Sequence, residues 1–301
     1  MKVLISGGSG LIGREISEQL LRKGHQVGWL SRSSIKENPQ IQVFSWDPDR
    51  MEIDPAAIEF ADAVINLAGA SIAERWTPHY KNIILRSRVD GTRLLFNRFR
   101  EDGKSLKAFV SASAVGYYPN SEDELFTEDS APGSDFLSLI CQKWEQEAQN
   151  FEELNIRTVR LRIGIVLDPE EGALSQMAAP LKWGFGAPLG NGKQWMPWIH
   201  RYDLAAMFVH ALENESVSTG VYNAVGPKNL RNAELTTTLA KVLKKPLFLP
   251  PVPAFMLKLL LGEMAAIALA STKCSNSKIC STGFQYQFTS LESALKELYL
   301  R

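Results

Sequence analysis

The sequence is poor in cysteine. Only Cys141, Cys274 and Cys280 occur in 301 residues, too few for a disulfide framework in a chain of this length. Cys274 and Cys280 have no histidine close by in sequence, so we predict neither a zinc site nor any other metal site. The simplest interpretation is a reduced, cytoplasmic compartment.

The sequence also lacks an excess of either charge and a long apolar run. Lysine plus arginine and aspartate plus glutamate number 33 each, which argues against nucleic-acid or membrane partners that depend on bulk electrostatics. The first apolar run is too short for a signal peptide. Residues 257–270 are the most apolar late stretch, but Lys258 and Glu263 interrupt them. They predict a buried helix and not a membrane span.

The first 32 residues predict a strand, a glycine-rich turn, a helix and a second strand. The turn reads GGSGLIG over residues 7–13. Its glycines allow a tight turn and leave room for a pyrophosphate to approach the backbone, and the start of the helix offers unpaired N–H groups to that phosphate. The alternative is a turn that binds nothing. In this strand–turn–helix context we predict a dinucleotide site that includes Gly7, Gly10, Leu11, Ile12 and Gly13.

The end of the second predicted strand indicates which dinucleotide is bound. An NAD site usually has an acidic residue there to hold the ribose 2′-hydroxyl, whereas this chain has Ser31 and Arg32. A guanidinium matches the geometry of a 2′-phosphate. We therefore predict NADP(H), although Arg32 as a solvated loop residue remains an alternative.

Strand and helix patterns alternate through the first half of the chain. They predict an α/β fold with a doubly wound parallel Rossmann sheet and a small, mostly helical C-terminal lobe. The predicted dinucleotide-binding domain comprises residues 1–168, with 198–226 returning to it, and the substrate lobe comprises 169–197 and 227–301. Residues 172–197 read as irregular. We also predict a helix over 203–212 capped by Asp203, and a short strand over 284–288.

Several motifs together resemble the extended short-chain dehydrogenase/reductases, the class of the nucleotide-sugar epimerases and dehydratases. They are GGSGLIG, Asn66-Leu67-Ala68-Gly69 and the run SASAVGY over residues 111–117. The chain is more similar to an atypical branch, the epimerase family proteins, some of whose bacterial members are called cell-division inhibitors. The marks of that branch are Arg75-Trp76, Ser87-Arg88, Lys143-Trp144-Glu145, QWMPWIH over residues 194–200, and Gly262-Glu263-Met264.

One departure from the extended superfamily limits what the resemblance implies. Those enzymes use a Tyr-x-x-x-Lys pair, in which the lysine lowers the pKa of a proton-transferring tyrosine. None of the seven tyrosines here has a lysine four residues later. Depending on the alignment, the pair becomes Leu139 with Lys143 or Leu137 with Cys141. Leucine transfers no proton, so the standard mechanism is absent.

The resemblance and the residue types together give the candidate site. The cofactor contacts are Asn66, Leu67, Ala68, Gly69, Arg88, Ser111 and Val166, in addition to the turn and Ser31-Arg32. Ser113, Tyr117 and His200 are the candidate catalytic residues, and the last of these has an ordinary pKa near neutrality. Gln194, Trp195 and Trp198 suit a flat substrate with polar edges, on which indoles stack. The alternative for this cluster is a hydrophobic seam between the lobes.

Two functions follow. The first is an NADP(H)-dependent oxidoreductase or epimerase-like enzyme acting on an unidentified small organic substrate, with a nucleotide sugar as one option by fold analogy. The second is a non-catalytic NADP(H)-binding regulator or redox sensor that docks a partner protein, for example one linked to cell division. The missing Tyr-x-x-x-Lys pair favours the second, and the cofactor turn fits both.

Overall fold

A computed structural model of the chain describes residues 1–33 and 38–300. Its strands are β1 (Lys2–Ser6), β2 (Gln26–Ser31), β3 (Ile41–Asp47), β4 (Glu52–Ile53), β5 (Ala63–Asn66), β6 (Phe109–Ala114), β7 (Leu125–Phe126), β8 (Thr158–Ile163), β9 (Ile165–Leu167), β10 (Trp195–Met196), β11 (Trp198–His200), β12 (Gly220–Ala224), β13 (Leu230–Arg231) and β14 (Lys273–Cys274). Its α-helices are α1 (Leu11–Arg22), α2 (Pro55–Phe60), α3 (Pro78–Asp102), α4 (Phe136–Gln149), α5 (Gly172–Lys182), α6 (Arg201–Glu213), α7 (Asn232–Val242), α8 (Ala254–Leu261), α9 (Ala265–Leu269), α10 (Ser277–Ser281) and α11 (Leu291–Tyr299).

Eight strands form one sheet in the order β12-β8-β6-β5-β1-β2-β3-β4. All neighbouring pairs are parallel except β3 with β4. Helices cover both faces, which confirms the predicted doubly wound α/β fold. The strand order reverses between β1 and β5, so the loops that follow these two strands diverge there and open a crevice at the carboxyl edge of the sheet.

Apolar side chains on both faces of the sheet bury it. On one face, α1 and α6 pack with Ile16, Leu20 and Phe208 fully buried. On the other, the core is rich in aromatic rings, and Phe109 stacks on Phe151 with centroids 3.7 Å apart. A third cluster lies under α5, α7 and α11 and includes Trp198. In the part of the chain that is described, no helix has both the length and the hydropathy to cross a bilayer.

Four local predictions in the second half were wrong. Residues 172–182 form α5 and not an irregular excursion, because Leu174, Ala178 and Leu181 share a buried face. Residues 284–288 form no strand. Their backbone amides at Gln287 and Phe288 instead bind the carboxylate of Asp203, at 2.8 and 3.1 Å.

That same contact explains why Asp203 does not cap α6. Its carboxylate is engaged with the C-terminal segment, and His200 is the N-cap, accepting a hydrogen bond from the Tyr202 amide. The predicted buried helix over 257–270 is also wrong. It divides into α8 and α9, and most of α8 is exposed, with only Leu257 buried.

Candidate functional site

The glycine-rich turn joins β1 to α1 and is packed too closely for side chains at most of its glycines. Gly7 has φ +73°, which favours glycine. A Cβ at Gly13 would lie 2.4 Å from the Gly7 carbonyl oxygen, and one at Gly8 would lie 2.2 Å from the Trp29 ring. Gly10 differs, because its nearest neighbour would be 3.4 Å away. The fold itself therefore requires Gly13 but leaves the space above Gly10 free.

The N-terminus of α1 is prepared for an anion. Its N-cap, Gly10, has no side chain to cap the helix, and the first turn has no acidic residue. The first amides and the positive end of the helix dipole therefore face the crevice. Leu11 and Ile12 supply two of these amides and are half-buried. Arg32 is exposed just beyond the carboxyl end of β2, and Ser31 is half-buried at that end.

The loop after β5 is held by buried hydrogen bonds. Asn66 accepts from the Ser6 hydroxyl at 2.6 Å and donates to Thr92 and Ser111 at 2.9 and 3.2 Å. The amides of Leu67 and Ala68 donate to the Ser6 hydroxyl oxygen. The side chains of Asn66 and Ser111 are thus used within the protein, and both are almost fully buried. The amides of Leu67 and Ala68 are used within the protein as well, so the loop offers a ligand the remaining backbone groups of residues 67–69.

Ser87 and Arg88 support this loop from α3. Ser87 accepts a hydrogen bond from the Ala70 amide at 2.9 Å. The Arg88 guanidinium lies so close to Gly69 that a Cβ there would be 2.8 Å from Cζ. Its recorded partners in the described residues are the Ile84 carbonyl, at 3.0 Å, and the Trp144 ring, 5.2 Å away, with no carboxylate among them. Burial lowers the pKa of this guanidinium, which lies beside the loop.

Ser113 belongs to a buried charged network. Its hydroxyl donates to Glu145 at 2.6 Å, and Glu145 forms a bidentate pair with Arg162 at 2.8 and 2.9 Å. Burial disfavours the charge on Arg162, but the hydrogen bonds to Glu145 outweigh it and the pKa of Arg162 is raised. With its proton donated to a carboxylate, the Ser113 oxygen still has lone pairs to accept a further hydrogen bond.

The tyrosines after β6 are oriented by the same arginine. Tyr117 is half-buried, and its ring stacks on the Arg162 guanidinium with 3.4 Å between Cζ and the ring centroid. Tyr118 is buried, accepts from Arg162 and donates to Asn223 at 2.7 Å. Burial raises the pKa of Tyr118 well above its ordinary value. Of the two phenols, only that of Tyr117 belongs to a half-buried residue.

The packing of α4 decides between the two alignments of the missing catalytic pair. Leu137 faces the turn after β6, and its Cβ would lie 3.4 Å from a Cβ on Gly116. Cys141 is one turn further along this face, buried, and burial raises the pKa of its thiol to about 12. Leu139 and Lys143 are exposed, and Lys143 lines an outer groove with Arg86. Leu137 and Cys141 therefore face the crevice side.

The C-terminal segment covers one wall of this region. Met264 and Ile267 pack against a cluster formed by the first turns of α3 and α4 and by Trp76, which directly precedes the cap of α3. This cluster includes Phe136 and Leu137. Glu263 forms an ion pair with Lys81 on α3. The wall above Leu137 is therefore apolar, with a charged pair at its rim.

Two predicted substrate residues form contacts between loops. Gln194 is 3% exposed and donates to the Leu189 and Ala268 carbonyls at 3.0 and 3.3 Å. Trp195 is half-buried, donates to the Glu122 carbonyl at 2.8 Å, and has Arg231 over its ring. These polar contacts join the segments around β10 to one another, and the structure does not bring either side chain to Ser113.

Trp198 and His200 point into the protein. Each is 1% exposed. The His200 ring lies 3.9 Å from that of Phe288, and its Nε2 is 3.0 Å from Glu297. Burial is the largest influence on His200 and lowers its pKa. The His200 side chain is therefore used in capping α6 and in its contacts with Phe288 and Glu297. By contrast, Val166 is half-buried in β9, at the carboxyl edge of the sheet.

Sequence reasoning did not select Glu145 or Arg162 as site residues. Two signals could have found them. Glu145 follows Leu137 and Cys141 at intervals of four, which places all three on one helix face. Arg162 lies with Arg160 in β8, a strand whose residues are nearly all buried, and a charge in a buried strand needs a partner.

The fold and the site define the class of the protein. The chain belongs to the NAD-dependent epimerase/dehydratase family, whose family model matches residues 3–224. A second model, a domain of unknown function (DUF1731), matches residues 252–298. These matches confirm the resemblance that the motifs indicated.

Individual relatives are epimerase family proteins, the narrower group that the sequence motifs resemble. The chain is 37% identical to the epimerase family protein YfhF of Bacillus subtilis, over 99% of this chain and 98% of the relative. It is also 37% identical to the epimerase family protein SAR0825 of Staphylococcus aureus, over 98% of both. Among solved structures, the human epimerase family protein SDR39U1 with NADPH superposes with a TM-score of 0.86 and 33% identity, over 99% of both chains.

Proposed function

We propose that this protein binds NADP(H) in the crevice between the loops after β1 and β5. The observation that carries this proposal is the N-terminus of α1, an uncapped helix end with no acidic residue, reached through a turn that excludes side chains at Gly8 and Gly13. Arg32 at the end of β2 would bind the 2′-phosphate. The solved human relative, which is described with NADPH, supports the same cofactor.

The next step of the proposal is a reaction on a small organic substrate. The bound cofactor would supply hydride transfer. Ser113 would accept a hydrogen bond from the substrate, since its own proton is donated to Glu145. Tyr117 would be the proton donor, held by its stacking on Arg162. The apolar wall of Trp76, Phe136 and Met264 would contact the body of the substrate.

The second candidate is a non-catalytic NADP(H)-binding regulator. It is favoured by Leu137 and Cys141, which face the crevice where related enzymes have their tyrosine and lysine. Leucine cannot transfer a proton, and a buried thiol with a raised pKa stays neutral near pH 7. In this alternative Ser113 and Tyr117 only shape the cleft.

A binding experiment tests the cofactor. NADPH and NADH are titrated against the wild type and Arg32→Ala, with the exposed Arg98→Ala as the matched control. A charge-assisted contact contributes roughly 1.5–3 kcal/mol, so Arg32→Ala is expected to weaken NADPH by about 10-fold to 100-fold and to leave NADH unchanged. An equal loss for both nucleotides would refute the assignment to the 2′-phosphate.

A turnover experiment separates the two functions. The NADPH-loaded protein is mixed with a panel of carbonyl compounds while absorbance of the reduced nicotinamide is followed. Oxidation that is lost in Tyr117→Phe supports the enzyme. Absence of turnover across the panel, together with tight NADPH binding and a protein partner whose affinity depends on it, supports the regulator.

A further inference from the structure

A large apolar surface remains exposed outside the crevice. Eight of the thirteen large hydrophobic side chains that are exposed in the described residues fall in two segments, 172–193 and 241–262. The most exposed are Leu259, at 83%, and Trp183, at 82%. The remaining six are Phe185, Phe248, Phe255, Met256, Leu260 and Leu261. We call these eight residues the apolar surface. Single exposed hydrophobic residues are ordinary on a protein surface, but eight in two neighbouring segments indicate a site of interaction with another molecule or with a membrane.

Backbone contacts hold the two segments together. Leu189 and Val252 form a parallel bridge, in which the Gly190 amide donates to the Val252 carbonyl at 2.9 Å. The Val252 amide in turn donates to the Pro188 carbonyl at 2.8 Å. Phe185 lies four residues before Leu189, and Phe255 lies three residues after Val252. The aromatic residues of the apolar surface therefore come from neighbouring backbone.

The charge of these two segments is one-sided. They contain six lysines and no aspartate or glutamate, in a chain whose total charges are balanced at 33 each. All six, Lys182, Lys193, Lys241, Lys244, Lys245 and Lys258, are exposed. In the described part of the chain only Lys241 has a recorded carboxylate partner, Glu292. Glu171 and Glu263 lie directly outside the two segments, and Glu263 is paired with Lys81. The charged border that the two segments themselves give the apolar surface is basic.

We propose that the apolar surface lies on an anionic lipid membrane, with α8 parallel to the bilayer plane. Exposed phenylalanine, tryptophan and leucine suit the boundary between headgroups and acyl chains, and lysines beside them attract anionic headgroups. A second copy of this chain fits less well, because a two-fold contact would bring identical lysine-rich borders together. The near-zero net charge of the whole chain hides this local asymmetry.

Vesicle binding tests the proposal on the full-length protein. Flotation is measured with phosphatidylcholine vesicles and with vesicles containing about one third phosphatidylglycerol, at low and high salt. Wild type is expected to float with the anionic vesicles and to be released by salt. Its tryptophan emission should shift to the blue, and Trp183→Phe should lose most of that shift, because Trp183 is by far the most exposed indole.

Three double variants separate the contributions of charge and apolar contact. Lys244→Gln with Lys245→Gln should weaken binding about tenfold or more, whereas the exposed control pair Lys107→Gln with Lys278→Gln should not. Phe255→Ser with Leu259→Ser should abolish binding. The proposal is overturned if wild type ignores anionic vesicles or if the control pair loses as much. It also fails if ultracentrifugation shows a micromolar dimer that Phe255→Ser with Leu259→Ser converts to monomers.

Discussion

Gly10 and Gly13 of the glycine-rich turn should respond differently to replacement by alanine. A methyl group added at Gly13 would lie 2.4 Å from the Gly7 oxygen and 2.6 Å from the Gly8 Cα, whereas one at Gly10 would meet its nearest atom at 3.4 Å. Both clashes at Gly13 are with backbone, which cannot rotate away. We expect Gly13→Ala to disrupt the packing of the turn and Gly10→Ala to leave it intact.

The magnitude follows from these contacts. Overpacking of this kind costs typically 1–3 kcal/mol and occasionally more, and for Gly13 the helix propensity of alanine offsets about 1 kcal/mol. Because the contacts at Gly13 are all with backbone, we expect the upper part of the resulting range. Gly13→Ala should lower the free energy of unfolding by about 1–2 kcal/mol, or the melting temperature by several degrees. Gly10→Ala should cost below about 1 kcal/mol, the scale of a helix N-cap preference.

Urea unfolding without cofactor measures the change in stability of each variant, and NADPH titration measures the change in cofactor affinity. Gly10→Ala should keep its stability but bind NADPH more weakly, because the added methyl group occupies the path of the pyrophosphate. If Gly13→Ala unfolds at the urea concentration of wild type, the packing argument is wrong. If Gly10→Ala binds NADPH as wild type does, the phosphate does not lie over Gly10.

Two further predictions concern buried charges. Glu145→Ala should lower the free energy of unfolding by about 3–5 kcal/mol, since it leaves Arg162 buried without a carboxylate, whereas Glu101→Ala, an exposed ion-pair control, should cost below about 1 kcal/mol in the same urea titration. The fold lowers the pKa of His200. Its contribution to the free energy of unfolding is therefore complete above about pH 6.5 and is lost as the pH falls toward the lowered pKa. Thermal unfolding between pH 7.5 and 5 should show a shallower loss for His200→Gln than for wild type or the exposed control His79→Gln; identical slopes would contradict this.

The features that depend on neighbouring residues were predictable from the sequence. The alternation of strands and helices indicated the sheet, and the glycines of residues 7–13 indicated the turn before α1, because each pattern reports local geometry. Errors arose where distant contacts compete with local preference. Asp203 has the right chemistry for an N-cap, but its carboxylate binds the amides of Gln287 and Phe288, more than eighty residues away.

The candidate site divides along the same line. The motif QWMPWIH contains two indoles and an imidazole, and these would suit a ligand site or a buried core equally well. Trp198 and His200 are buried because α11 and the C-terminal segment pack over them. Ser113 and Glu145 are 32 residues apart along the chain, and Glu145 and Arg162 are 17 apart, so no spacing rule connects them. Their network exists because β6, β8 and α4 meet in the fold.

By itself, the sequence determined the class of the protein and the dinucleotide turn, since both depend on short patterns with one physical explanation. It also showed that the tyrosine–lysine pair is absent, but it left two alignments of the vacant positions. Only the tertiary structure decided between them, by turning Leu137 and Cys141 toward the strand ends and Lys143 toward solvent. The sequence of a helix does not show which of its side chains face the rest of the protein. The surface against which the helix packs determines which of them can reach a ligand.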